Sequence, residues 1–519
     1  MKTRFCSLLL ALVIPAAGHA TVSLAPLFRD HAVLQRDKPV PVWGTAAPGE
    51  HVSVHFRGDA AEATAGADGR WSVRLDPLPA ASDPADLIVD GGNEVAVHDI
   101  VVGEVWLCSG QSNMQFTLWD PNGTSFRVQN GEKEVAAANH PLIRQFLVPQ
   151  VESDTLLESA GGSWVACTPA TAAGFTAVGY FFARDIQQKL GVPVGIIDCS
   201  WGGSSIEPWM SQETLAGDPE LAFVGENWRK TVADYPLKLA RTMALDSAWR
   251  SVAAQARQKG PEAYKVFVDQ FKEPKTPPPP DKPYPSAPSR LYNAMINPLV
   301  PYALRGVLWY QGESNTGRPQ EYHKLFASMI TSWRGAFGQG DFPFYWVQLA
   351  NYNGWDPDAT NWAALREAQE ETLSLPNTGM AVTIDIGSAT DIHPKNKQEV
   401  GRRLALIAKA KVYGVTEDFS GPTFKAAQRS GAGMLVSFNF SGTGLTAGGK
   451  PLQSFEIAGE DRRFFPAAAT IVGDKVLVQS PRVPNPVAVR YAWRNAPEAN
   501  LYNGAGLPAA PFRSDRWAK

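Results

Sequence analysis

The sequence predicts an α/β region built on a parallel sheet, with β-rich segments before and after it. Three observations carry this. Between residues 101 and 411, apolar runs of strand length, such as 194–199 and 306–310, alternate with helical stretches such as 178–190 and 396–410. Upstream, short alternating runs such as Val52-Ser53-Val54-His55-Phe56 and Trp71-Ser72-Val73-Arg74-Leu75 are separated by Pro, Gly and Asp turns. Downstream, alternating runs return at 434–440, 475–479 and 487–493.

A chain of 519 residues exceeds what one core organises. The expected division is a leader at 1–20, a β-sandwich-like domain at 21–100, the α/β domain at 101–411 and a β-rich region at 412–519. The leader has a basic start (Lys2, Arg4), an apolar stretch at 8–17 and small residues at Gly18 and Ala20, so it reads as a cleaved secretory signal and the mature chain as periplasmic or secreted. That stretch is too short to span a bilayer, and no later apolar segment reaches spanning length. A net charge of −3 gives no general attraction to nucleic acid or anionic membranes. Loss of Cys6 with the leader leaves Cys108, Cys167 and Cys199, enough for one disulfide at most, and their spacing does not suit a zinc site; they read as buried thiols.

The strand–helix alternation stops over 211–289, a polar stretch with helical segments that ends in the proline run 277–283. Proline cannot continue a helix or a central strand, so this reads as an insertion with an extended tail, placed to overhang the strand ends.

Those strand ends carry the chemistry. Ser112, in Gly110-Gln111-Ser112-Asn113-Met114, follows the apolar run 101–108, and Asp391-Ile392-His393-Pro394 follows the run 380–386. In parallel sheets ligands bind beyond the carboxyl ends of strands. A serine hydroxyl becomes nucleophilic when an imidazole takes its proton, and a carboxylate orients that imidazole. Taken alone, Ser112 would read first as a helix N-cap. Two further loops accompany it: Asp198-Cys199-Ser200-Trp201-Gly202-Gly203-Ser204-Ser205 and Trp309-Tyr310-Gln311-Gly312-Glu313-Ser314-Asn315. Glycine permits close backbone approach, and an asparagine amide is a neutral donor suited to an oxyanion. No His-Glu-x-x-His or clustered carboxylate pattern points to a metal. His323 reads as a helix-surface residue.

With these motifs in view, the chain resembles the SGNH hydrolase superfamily and, within it, the sialate O-acetylesterase family. The likeness rests on the Trp106–Met114 stretch, Ser200-Trp201-Gly202-Gly203, Asn293-Ala294-Met295-Ile296, the Trp309–Asn315 stretch and Ile392-His393-Pro394, with Ala32-Val33-Leu34-Gln35 and Val489-Arg490-Tyr491-Ala492-Trp493 extending it over nearly the whole mature length. The resemblance implies a flavodoxin-like three-layer α/β/α domain with accessory β domains that removes acetyl groups from sugars without a metal or organic cofactor. It implies Ser112 as nucleophile, His393 as base, and an oxyanion hole from the Ser112 and Gly203 N–H groups and the Asn315 amide. Gln111 and Glu313 would orient these loops.

The superfamily usually places its acid three residues before the histidine, where this chain has Thr390. Asp391, two residues before, shares a face with His393 in an extended segment and is the expected acid, with Asp385 next and a Ser-His pair without a close acid as the third option. Trp201, Trp209, Trp309, Tyr310, Tyr352 and Trp362 crowd the same loops and are either core rings or sugar platforms, with Trp209 proposed as a platform. Arg318 would suit a sialate carboxylate, whereas neutral xylan or xyloglucan would rely on stacking and hydroxyl bonds. The competing functions are a non-catalytic carbohydrate-binding protein on an esterase scaffold and a lipase or thioesterase, which needs a long apolar channel.

Overall fold

The computed structural model describes residues 21–120, 127–277, 279, 286–354 and 359–517. The expected leader and part of the proline run lie outside them. The molecule is an α/β region with a large mixed sheet, joined to accessory β-rich sheets.

The axis of the fold is strand β1 (Glu94–Gly110). Its first residues are partly exposed, and from Ile100 onward all are buried, as expected of a strand covered on both faces. It runs without a break through the expected boundary at 100/101. Its first half pairs with Ala81–Asp90 of the N-terminal region, and Val33–Gln35 pairs alongside Val101 to Gly103. Strands Val40–Thr45 and Arg70–Leu75 form a second sheet with Ser23–Leu24. The N-terminal and α/β regions share one apolar core, while the C-terminal region has a core of its own.

The remaining strands of the α/β region are β2 (His140–Leu147), β3 (Trp164–Cys167), β4 (Val194–Ser200), β5 (Gly306–Tyr310), β6 (Phe344–Val347) and β7 (Thr378–Ala381). Their order is β3-β2-β4-β1-β5-β6-β7, all pairs parallel except β3 with β2. The run expected as a strand over 380–386 is strand only to Ala381 and then turns toward the His393 loop. Because β1 has β4 on one side and β5 on the other, the chain leaves it in both directions and opens a crevice at its carboxyl end.

Helices cover both faces. Phe182 of helix Ala177–Leu190 packs on Trp106, and Trp333 and Phe326 of helix Pro319–Phe337 pack on Trp309. Trp309 pairs with Ser109, three residues from Trp106, so the two tryptophans point to opposite faces of the pleat. The insertion forms the long helix Ala222–Gln258 and the helix Pro261–Gln270 packed against it. The C-terminal region holds two four-stranded antiparallel sheets and a two-stranded ribbon. No helix among the described residues is long and apolar enough to cross a membrane.

Arg366 ties the C-terminal region to the α/β sheet. Wholly buried, it donates to the carbonyls of Leu349 (2.7 Å) and Ala350 (2.8 Å) and to those of Arg494 (2.9 Å) and Asn495 (2.7 Å). Burial draws its pKa down to about 9. Arg366→Met leaves these carbonyls without their shared donor and is expected to cost about 3 kcal/mol of stability. An unchanged denaturation midpoint in urea would show that the guanidinium holds nothing together.

Candidate active site

The nucleophile candidate sits where β1 ends. Gly110 adopts φ +133, and a Cβ there would stand 2.2 Å from the Tyr310 carbonyl oxygen, so only glycine lets β1 and β5 stay paired at this point. Gln111 N then donates to Tyr310 O (2.9 Å) and Trp201 N to Gly110 O (3.0 Å), which fixes the turn between its two neighbouring strands. Ser112 opens a single helical turn, Ser112–Gln115, far shorter than the helix expected behind it.

The structure brings Ser112 and His393 together: Ser112 Oγ lies 3.0 Å from His393 Nε2. Asp391 Oδ1 accepts from the His393 backbone N–H (2.9 Å) and stands 3.8 Å from His393 Nδ1, beyond a direct hydrogen bond. Asp385, the second acid considered, is held by Arg403 through two bonds of 2.6 and 2.8 Å.

Two groups that the sequence analysis left unassigned, Asn113 and Lys397, join Glu313 in holding this pair in place. Asn113 Nδ2 donates to Glu313 Oε1 (2.6 Å) and to the Ile392 carbonyl (3.1 Å), and its Oδ1 accepts from Lys397 Nζ (2.5 Å). One amide thus joins the serine turn, the β5 loop and the histidine loop. Lys397 is fully buried, with its ammonium 4.9 Å from the Phe116 ring and 5.1 Å from that of Tyr310. Burial brings its pKa down to about 7, against the pull of Glu313 and Asp391. Glu313 is pushed up by burial, against its bond from Asn113 and the charge of Lys397. Lys397 shared a helical stripe with Val400 and Leu404, and a lysine on an apolar stripe was the available signal. For Asn113 the signal was its place in the Trp106–Met114 stretch.

The loops proposed for an oxyanion hole flank the serine. Gly202 N donates to Gln115 Oε1 (2.7 Å), and a Cβ on Gly202 would lie 3.3 Å from Ser112 Cβ. Gly203 follows at φ +80. Asn315 is buried; its Oδ1 accepts from Ile206 N (3.0 Å) and Gln311 Nε2 (2.8 Å), and its Nδ2 donates to Glu207 Oε2 at 3.2 Å. A primary amide has a second N–H to offer beyond that bond. Gln111 is also buried, its Oε1 accepting from Gly312 N (3.4 Å) and Ser314 N (3.3 Å).

The aromatic residues divide. Trp209 is wholly buried, its ring edge-on to Trp309 and its Nε1 bonded to Ser204 Oγ (3.0 Å), so it cannot act as the expected sugar platform. Trp309 and Tyr310 are likewise core residues and Trp362 is buried, whereas Trp201 and Tyr352 stay partly exposed. Arg318 pairs with Glu207 and Glu321, so its charge is already matched. His323, on its helix surface, lies 3.8 Å from Glu371.

A pocket of about 370 Å³ opens beside Ser112. Phe116, Leu147 and Pro149 supply apolar walls, Gln150 and Thr117 polar ones, and Asp198 part of the floor. Asp198 accepts from Ser200 Oγ (2.7 Å), and burial lifts its pKa to about 7.

Comparisons with known proteins place this geometry. Residues 273–409 match the family model described as carbohydrate esterase, sialic acid-specific acetylesterase. The chain is 28% identical to the sialate O-acetylesterases of Mus musculus and Homo sapiens, in each case over 97% of this chain and 96% of the relative. It is 41% identical to a carbohydrate acetylesterase of Xanthomonas citri whose crystal structure superposes with a TM-score of 0.79, covering 96% of this chain and all of that one.

Burial and the charge of Lys397 hold the His393 pKa below its ordinary 6.5, while Asp391 opposes them. With its pKa near 7 and that of His393 held below 6.5, Lys397 carries much of its charge while His393 titrates. Lys397→Gln removes that charge, and the His393 midpoint followed by NMR is expected to rise. A midpoint that stays or falls would uncouple the two groups.

Proposed function

This chain belongs to the carbohydrate esterase family that contains the sialate O-acetylesterases and is a catalytic hydrolase, and from that premise we propose that it removes acetyl groups from sugar hydroxyls through an acetyl-enzyme on Ser112. The 3.0 Å contact between Ser112 Oγ and His393 Nε2 carries this reading. His393 takes the serine proton as Oγ attacks the acetyl carbonyl, gives it to the departing sugar oxygen, then activates water against the acetyl-enzyme. Asp391, 3.8 Å from Nδ1, stabilises the imidazolium and closes on it as charge develops. The N–H groups of Ser112 and Gly203 and the second N–H of Asn315 receive the oxyanion.

The strand order supports the SGNH three-layer reading. Without the edge pair β2 and β3, the order β4-β1-β5-β6-β7 is 2-1-3-4-5 by sequence, the flavodoxin-like order. We assign residues 101–411 as the catalytic unit, with 21–100 and 412–519 as accessory β regions and 1–20 as an export signal that directs the enzyme to the periplasm or outside the cell.

Pocket chemistry narrows the substrate. Among its described lining residues the Ser112 pocket carries Asp120 and Asp198 and no lysine or arginine, which disfavours a sialate carboxylate and favours neutral acetylated glycans such as xylan or xyloglucan. Its mixed, compact lining suits acetate better than the long acyl chain of a lipase or thioesterase substrate.

Ser112→Ala is expected to lose roughly 10⁶-fold in kcat on an aryl acetate; near-normal turnover would remove Ser112 from the mechanism and leave the binding-protein alternative. Asp391→Asn should lower kcat with KM little changed, and unchanged turnover would dismiss it as the acid. Acetate release from acetylated xylan, xyloglucan and sialoside fragments should favour the neutral sugars, and a preference for sialosides would overturn the electrostatic argument.

A further inference from the structure

The glycine turn beside Ser112 has two sides. Gly202 packs against Ser112, whereas among the described residues no heavy atom beyond its chain neighbours lies within 4 Å of where a Gly203 Cβ would stand. On this outer side lies a second cavity, of about 690 Å³, within the range of built ligand sites. Gly203, Ser314 and Arg318 line it from the strand-end loops, and Trp228, Thr231 and Tyr235 from the insertion helix Ala222–Gln258. Ser314 Oγ donates to the Gly203 carbonyl (3.1 Å), so the two loops form one rim between this cavity and the serine.

Trp228 differs from the core tryptophans. The rings of Trp106, Trp209, Trp309 and Trp333 all pack on other aromatic rings. Trp228 is only partly buried, and among the described residues its ring has no aromatic partner and its Nε1 no hydrogen bond. Tyr235, two turns further along the helix, is anchored by its hydroxyl to the Pro277 carbonyl (3.2 Å). The charges are mixed: Glu207 and Asp234 stand with Arg318, Lys230 and Lys238, and Arg318 is already paired with Glu207. A ring face with a polar surround that carries both signs of charge suits a sugar better than a lipid.

We propose that this cavity is a second glycan subsite, which holds sugar residues of the same chain remote from the one that carries the acetyl group, with Trp228 as its stacking face. The proposal rests on the esterase reading of Ser112. The insertion thereby selects oligomeric over monomeric substrates and leaves the chemistry at the strand ends untouched.

The test compares an acetylated hexasaccharide of the preferred sugar, the acetylated monosaccharide and p-nitrophenyl acetate. Trp228→Ala should raise KM on the hexasaccharide about tenfold, the loss of one aromatic contact, with the two small esters unchanged. Trp228→Phe should restore most of the difference. Thr231→Trp, which fills the cavity from an exposed position without disturbing the core, should reproduce the KM effect and covers the case in which Trp228→Ala fails to fold. Equal KM for the unaltered enzyme, Trp228→Ala and Thr231→Trp on the hexasaccharide overturns the subsite, as does an equal loss on all substrates, which would mark Trp228 as structural. Failure of the esterase reading is distinct: there Ser112→Ala would keep its activity on p-nitrophenyl acetate.

Discussion

The position of the reacting serine depends on a strand that belongs to two sheets at once. β1 pairs with N-terminal strands over its first half and with β4 and β5 over its second, so it cannot shift without disturbing both. At the junction the wholly buried Glu104 carboxylate accepts from Arg36 Nε (2.5 Å) and Arg305 Nε (2.6 Å), one guanidinium from each region. The two pairs and their hydrogen bonds oppose the cost of desolvation and hold Glu104 ionised, its pKa lowered despite burial. The N-terminal region is therefore a brace on the site rather than an appended module, which is why the two share a core.

From Gly110 onward, the rigid strand hands over to a buried polar network. Asn113, Glu313 and Lys397 meet where water is excluded, so each bond is strong and each missing partner costly. A cation between two aromatic faces, with a carboxylate nearby, is stable only if all partners keep their places. Lys397 lies four residues beyond His393, on the first turn of its helix. The group that locks the histidine loop to the serine turn also adds its charge to the larger effect of burial in disfavouring the imidazolium, and a neutral imidazole is the form that can accept a proton.

The sequence conveyed some of this more clearly than the rest. Largely apolar runs such as 194–199 and 306–310 were legible as buried strands because composition and length both point that way, and Ser112 and His393 were legible because their loops match motifs. The continuity of β1 was not, since Glu94 to Asp99 is largely polar or alternating while the residues from Ile100 are mostly apolar, and a change of pattern resembles a boundary even where the backbone goes on. Trp209 shows a second limit: a tryptophan in a polar loop has the same letters whether its ring faces solvent or Trp309, and only packing decides. Arg318 was readable as a free cation for the same reason; its partners Glu207 and Glu321 lie 111 and 3 residues away, and only the nearer was visible in the sequence.

The division of labour around the glycine turn follows from how its two walls are held. Glu207 touches both sides: one oxygen pairs with Arg318 at the outer cavity, the other accepts from the Asn315 amide at 3.2 Å. A change at Glu207 would reach the reacting centre and the outer cavity together. Trp228 has no such link; it stands on the insertion, outside the polar network that positions the serine and the histidine. Recognition placed there can vary without moving Ser112 or His393, because the rigid parts of the site are strand ends and a buried amide, and the insertion contributes to neither.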